Sequence, residues 1–362
     1  LASGNPRKTY ELNDMTSHHH TPWNDFIKGM PKVELHLHLE GAFTFPTLLQ
    51  LIQKYGGAPE IRTIQDLRHR FAYSDFPHFI ETWKWKNQFF RAPEDFELSV
   101  YETLRDLHSQ NVAYVEAFYS PWDFEGNGIS MQSITHAVLR AKRKAHDDFG
   151  IQCALIADIN RDFGPERGAE RVDEVAVFRG QGVIGIGLGG SEHQYPAELF
   201  VEAFAKAKEF GLHRVAHAGE AAGAGSIWGA VRALEAERIG HGTRAIEDPM
   251  LIDELRTRKI PLEVCLTSNI CTGVVRSLES HPVKDFLHAG LVVTINTDDP
   301  TMFGCTLTDE YVALFERVAA SPELLRTVGA NAIDSSFLDE RGKRELHEQF
   351  DRYWKRAPHD AR

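Results

Sequence analysis

The sequence predicts a (β/α)₈ barrel with a helical insertion after its first strand and extra helices at its C-terminal end. Three observations lead there. Eight short β-rich runs recur along the 362 residues, helical stretches of i, i+3, i+4 apolar spacing separate most of them, and ionisable side chains collect at the ends of the runs. A doubly wound open sheet is the alternative, but it calls for a glycine-rich phosphate loop after the first strand, and none follows Glu40.

The first 21 residues are polar and lack the apolar stretch of a secretory signal. Their run His18 to His20 reads as part of a disordered tail outside the fold, which leaves residues 22–362 as a single (β/α)₈ domain. The first β-rich run is VELHLHLE (33–40), in strict alternation. Successive side chains on a strand point to opposite faces, so Val33, Leu35, Leu37 and Leu39 share one face and Glu34, His36, His38 and Glu40 the other. Residues 41–111 follow as a long connection with aromatic-rich helical patterns such as FPHFIETWKWKNQFF (76–90). An insertion after a barrel strand lies on the C-terminal face, where it serves as a lid or as an extra packing layer.

The remaining runs are VAYVEAFYSP (112–121), QCALIADI (152–159), GVIGIGLGG (182–190), HRVAHAGE (213–220), RIGHG (238–242), PLEVCLTSN (261–269) and LVVTINTDD (291–299). PAELFVEAFAKAKEFG (196–211) exemplifies the helices between them, with Gly211 placed as a C-terminal cap. From Ser321 onward the chain reads as helices, opened by Ser-Pro-Glu.

Apolar content of 42% and charged content of 25% are those of an ordinary globular protein. A net charge of −12 argues against a nucleic-acid polymer as partner, since a phosphate backbone wants clustered Lys and Arg. No segment reaches the roughly 18 apolar residues of a membrane helix. The four cysteines form no C-x-x-C pair and three sit in apolar runs, which fits reduced thiols and a cytoplasmic location. No stretch announces a subunit interface.

In a closed barrel no strand is an edge, so the polar face of the first run cannot be explained as a wet side. His36 and His38 then point into the barrel at its mouth and need partners. His217 and Glu220 close the fifth run, His241 the sixth, and Asp298 and Asp299 the eighth. Three imidazoles and one carboxylate suit zinc with a water in an open position, and another divalent metal fits the same chemistry. Four histidines and three carboxylates exceed what one metal takes, and the chemistry alone leaves open which of them bind. The fourth run offers no lysine to bridge a second metal, so the surplus reads as acid, base and substrate contacts. The H-x-E…C-x-x-C and H-E-x-x-H zinc enzymes are excluded by the absence of their motifs.

With these residues assembled, the chain resembles the adenosine deaminase family of metal-dependent aminohydrolases. The resemblance runs from about Pro31 to Phe337 and rests on PKVELHLHLEG, YSP (119–121), VAHAGE, RIGHGTRAIEDP, CLTSNICTG and NTDDP. It implies one zinc ion per chain held by His36, His38, His217 and Asp298, with Asp298 also catalytic. It further implies Glu220 as proton donor, His241 positioning the attacking water, Asp299 on the imidazole edge of the purine and the backbone of Gly190 on purine N3, with His38 and Glu40 also contacting substrate. The implied reaction converts adenosine or deoxyadenosine and water to the inosine counterpart and ammonia.

Two positions depart from the adenosine-specific pattern. Glu40 stands where Asp is common, and Leu188-Gly189-Gly190-Ser191-Glu192 replaces L-A-G-D-E. Adenine-specific members carry Glu at the first place but a different run at the second, and Thr272-Gly273 leans to the adenosine type, while Leu266 replaces a frequent proline. Adenosine is therefore the first expectation. Adenine, an N6-substituted adenine and 6-aminodeoxyfutalosine are the alternatives, followed by a different metal-dependent hydrolase on the same barrel or a binding protein that has kept the fold.

Overall fold

Eight parallel strands stand side by side in chain order in the computed structural model, which describes residues 21–73, 76–319 and 321–358. They are β1 (Lys32–His38), β2 (Val112–Tyr119), β3 (Gln152–Asn160), β4 (Val183–Gly189), β5 (His213–Ala218), β6 (Arg238–His241), β7 (Leu262–Val264) and β8 (Val293–Ile295). The ring is joined just past β8. There the Asp298 N–H donates to the carbonyl of His36 and the His38 N–H to the carbonyl of Asp298, each at 2.8 Å.

Helix α1 (Pro22–Gly29) precedes β1. The long connection carries α2 (Phe45–Lys54), α3 (Ile64–Arg70) and α4 (Phe76–Asn87), then α5 (Pro93–Ser109). The outer layer continues with α6 (Met131–Phe149), α7 (Pro165–Ala176), α8 (Val201–Glu209), α9 (Ala224–Arg232) and α10 (Pro249–Arg258). Past β7 come α11 (Leu266–Cys271) and α12 (Val283–His288), and past β8 come α13 (Pro300–Phe303), α14 (Leu307–Ala313), α15 (Pro322–Ser335) and α16 (Glu340–Trp354). Local signals set many of these bounds. The Ser130 hydroxyl accepts the Ser133 N–H at the start of α6, and Gly150, in left-handed backbone, donates to the carbonyl of His146 at its end.

Both faces of β1 are buried, as a closed ring requires. Val33, Leu35 and Leu37 pack outward in the main apolar core, while Glu34 and His36 are buried inside the barrel. Phe118, Ile156 and Val215 form a separate apolar cluster, with Ile184 and Phe337 packed against it.

Seven of the eight expected strands end earlier in the structure, β7 and β8 by the most. β1 stops at His38, because the Gly41 N–H turns back to the His38 carbonyl, so Glu40 lies on a turn rather than on the strand. β7 stops at Val264: the buried carboxylate of Glu310 accepts the N–H groups of Leu266 (2.8 Å) and Thr267 (3.1 Å) and starts α11 within the run expected to be extended. β8 is equally short. The stretch 196–211 is a 3₁₀ turn followed by α8, and Gly211 is left-handed (φ 66°) as its capping position demands. Of the connection 41–111, α5 packs on α6 as part of the outer layer, which leaves α2 to α4 as the inserted portion. Residues 1–20, with the three-histidine run, lie outside the described residues, as do 359–362. Among the described residues no helix is long and apolar enough to cross a membrane.

Candidate active site

His36 and His38 on β1, His217 on β5 and Asp298 beyond β8 each bring one ligand atom to a common point, all within 4.8 Å of one another. The Nε2 atoms of His38 and His217 face each other at 3.1 Å, and Asp298 Oδ1 lies 3.3 Å from His38 Nε2 and 3.6 Å from His36 Nε2. His36 Nδ1 meets Glu263 Oε2 at 2.7 Å, which turns Nε2, buried and without a hydrogen-bond partner, toward the same point. Gly240 makes room for this ring, since a Cβ there would come within 2.7 Å of it. Arg161 holds the His217 carbonyl with Nη2 at 2.7 Å.

Burial pushes His38 down to about 4 and His217 well below its ordinary value, so both rings are neutral and offer lone pairs. Burial also opposes charge on His36, but the nearby carboxylates of Asp298 and Glu263 outweigh that and raise it to about 10. Asp298 is held well below the usual carboxylate range: burial acts upward, and His36, His241 and His38 overcome it. Three imidazole nitrogens and a carboxylate oxygen, one of the nitrogens orphaned, form a donor set that fits a divalent metal such as zinc.

Glu220 and His241 flank this cluster. Glu220 Oε2 lies 3.5 Å from His241 Nε2, which is 4.0 Å from Asp298 Oδ2. The Glu220 loop is anchored by Glu192, whose carboxylate accepts the N–H groups of Gly219 (2.5 Å), Ala221 (2.7 Å), Ala222 (3.1 Å) and Glu220 (3.2 Å). Burial, with the negative charges of Asp298 and Glu192, pushes the Glu220 carboxyl up to about 8, so it retains its proton near neutrality. Burial lowers His241 to about 3. His241 and Asp298 both adopt left-handed backbone (φ 60° and 64°), a conformation rare outside glycine that re-aims the chain at the barrel mouth.

Glu40 and Asp299 occupy the neighbouring wall. Glu40 Oε1 accepts the Ser120 N–H at 2.8 Å, while Glu40 Oε2 and Asp299 Oδ1 are buried without partners among the described residues. Only a glycine fits at Gly41, because a Cβ would collide with Asp299. The buried Lys86 of α4 lies 4.0 Å over the Trp83 ring, and Glu40, Asp299 and Asp123 all act on its charge. Glu40 and Lys86 line one cavity with Leu39, Phe90 and Tyr119. Gly190, exposed and left-handed (φ 90°), directly follows β4, where a Cβ would strike Asn160 and Asp162.

The structure thus brings together every residue singled out from the strand ends. It adds several that single-strand reading missed: Glu263 behind His36, Glu192 under Glu220, Ser268 donating to Asp298 Oδ2 at 2.6 Å, Asn269 beside His241, and Asp158, a buried carboxylate with an orphaned oxygen. A signal was present for three of them, since a charged residue in PLEVC and polar ones in CLTSN interrupt runs that are otherwise buried.

Comparison with known proteins agrees with this geometry. The family model described as adenosine deaminase matches residues 31–353. The aminodeoxyfutalosine deaminase of Streptomyces avermitilis is 37% identical over 91% of this chain and 93% of its own. The adenosine deaminase of Aliivibrio fischeri is 35% identical over 89% and 98% respectively. Among solved structures, an amidohydrolase from Burkholderia ambifaria with bound zinc superposes with a TM-score of 0.86 at 28% identity, covering 95% of this chain and 97% of that one. The chain is a deaminating aminohydrolase and belongs to the adenosine deaminase family.

Proposed function

We propose that the protein hydrolytically deaminates a 6-aminopurine nucleoside, with adenosine and deoxyadenosine as first choice. The observation that carries this reading is the placement of a protonated carboxyl, Glu220, beside His241 at the edge of a three-histidine, one-aspartate donor set. A single zinc ion held by His36, His38, His217 and Asp298 would supply the Lewis acidity that makes water nucleophilic at neutral pH.

The chain's own residues account for the rest. Attack of water oxygen on C6 breaks the aromaticity of the ring, so N1 must gain a proton as the bond forms, and Glu220 delivers it. His241 holds the water, Asp298 helps orient it, and Asp299 with its orphaned Oδ1 meets the imidazole edge of the purine. The Gly190 backbone, exposed at the end of β4, serves N3. The proton given up by the attacking water passes to the amino group, which leaves as ammonia, while the hydroxyl proton of the tetrahedral carbon returns to Glu220 and the 6-oxopurine remains. α4 brings Lys86 into the wall of a cavity that Glu40 also lines.

Four carboxyl groups, Glu40, Asp123, Asp158 and Asp299, gather around this wall with Lys86, Arg161 and Arg171 as the cations that act on them, an acceptor-rich wall that suits the hydroxyls of a substrate without a 5′-phosphate. Aminodeoxyfutalosine is the second reading, on the strength of the 37% identical relative. All four cysteines are unpaired, in keeping with a reducing cytoplasm. Ammonia release from adenosine, deoxyadenosine, adenine, aminodeoxyfutalosine and AMP tests the proposal: turnover of the first two and not of AMP is expected, and no turnover of any 6-aminopurine overturns it.

A further inference from the structure

We infer that Asn269 and His281 are positioning residues that decide which nitrogen of His241 carries its proton, placing it on Nε2 so that His241 meets the attacking water as a hydrogen-bond donor. The inference rests on the site reading above and adds the direction of a buried chain that none of the motifs includes as a whole.

The direction follows from one atom that can only donate. The backbone N–H of Val283, in the first turn of α12, lies 3.1 Å from His281 Nδ1. That nitrogen must accept, so the proton of a neutral His281 ring sits on Nε2. His281 Nε2 lies 3.2 Å from Asn269 Oδ1, to which it donates. The other end of the amide, Asn269 Nδ2, lies 3.0 Å from His241 Nδ1 and donates to it. His241 Nδ1 is therefore an acceptor, and the ring proton is on Nε2. That nitrogen faces the ionised Asp298 carboxylate, Oδ2 at 4.0 Å, which favours a donor over a lone pair there.

Burial makes the chain decisive. His241, Asn269 and His281 are 1%, 0% and 3% exposed, so no bulk water offers either imidazole an alternative partner. Asn269 is held in α11, whose first N–H groups are fixed by Glu310, and its carbonyl accepts the Val275 N–H at 2.8 Å. A ring whose Nε2 bears a proton cannot take one from water at that atom. His241 fixes the water's orientation, and proton removal falls to another group. The two residues that impose this stand 28 and 40 positions away from His241 in sequence.

The test uses the zinc-loaded enzyme labelled with ¹⁵N at histidine, the His241 signals being identified by their loss in His241→Gln. Long-range ¹H–¹⁵N correlation reads which nitrogen is protonated, whether or not any 6-aminopurine is turned over. The expected wild-type result is a proton on Nε2. Asn269→Asp presents only acceptors to both rings and should move the proton to Nδ1, with kcat falling about 100-fold while KM and bound zinc change less than about threefold. His281→Gln, whose amide can accept from Val283 and donate to Asn269, should keep the wild-type pattern, whereas His281→Leu should lose it. A wild-type proton on Nδ1 overturns the inference. So does an Asn269→Asp enzyme that keeps both the Nε2 proton and wild-type kcat.

Discussion

His36 Nδ1 and Glu263 Oε2 are joined at 2.7 Å in a pair with no solvent exposure on either side chain. The carboxylate fixes the ring's tautomer and orientation and raises the basicity of the nitrogen that faces the site. Glu263→Gln keeps the size of the side chain and removes its charge. Zinc affinity should fall about 10- to 100-fold, measured by competition with a chromophoric chelator; an unchanged affinity would show that the pair is not a ligand support.

Removal of the metal should lower stability reversibly. A metal present at about 1,000 times its Kd stabilises the folded chain by about 4 kcal/mol. Calorimetry after chelation should therefore show a lower Tm that is restored by zinc, and a Tm indifferent to chelation would contradict a site built from His36, His38, His217 and Asp298.

Glu220→Gln retains the shape of the side chain and loses the proton it can give. Turnover should fall about 10²- to 10⁴-fold with bound zinc unchanged. A variant within threefold of wild type would remove Glu220 from the proton-donor role.

Arg238 lies under the site between two buried carboxylates, with Nε 2.5 Å from Glu263 and Nη1 2.6 Å from Glu116. Arg238→Met leaves both carboxylates without their cation and should destabilise the fold by about 3–5 kcal/mol. Denaturant unfolding would register this as a lower midpoint at unchanged slope.

Glu310, which caps α11, is pushed up to about 7 by burial, above its ordinary 4.5. The folded chain therefore binds this proton more tightly than the unfolded one. The stabilisation is complete below pH 4.5 and is lost as pH rises through 7. Unfolding free energy measured at pH 5 and pH 8 should drop less in Glu310→Gln than in wild type, and equal drops would refute the contribution of Glu310.

The alternation of Val33 to Glu40 and the series of eight runs were enough to determine a parallel barrel and to place His36, His38, His217, His241 and Asp298 at its mouth. Strand periodicity is local, and closure of a parallel ring leaves an inward polar residue only one place to go. Motif spacing also carried Glu220 and Asp299, because each lies next to a strand end.

Only the tertiary structure decided the rest. Glu40 leaves the β1 face because Gly41 turns the chain, and β7 ends early because Glu310, 44 residues on from Leu266, caps the following helix. Glu263 supports His36 across 227 residues of chain, Asn269 reaches His241 across 28, and Lys86 enters from an inserted helix to meet Glu40. These contacts depend on which residues a closed barrel brings opposite one another in three dimensions. A buried carboxylate or ammonium acquires its role from the partner that compensates its lost hydration, and that partner is not its neighbour in sequence.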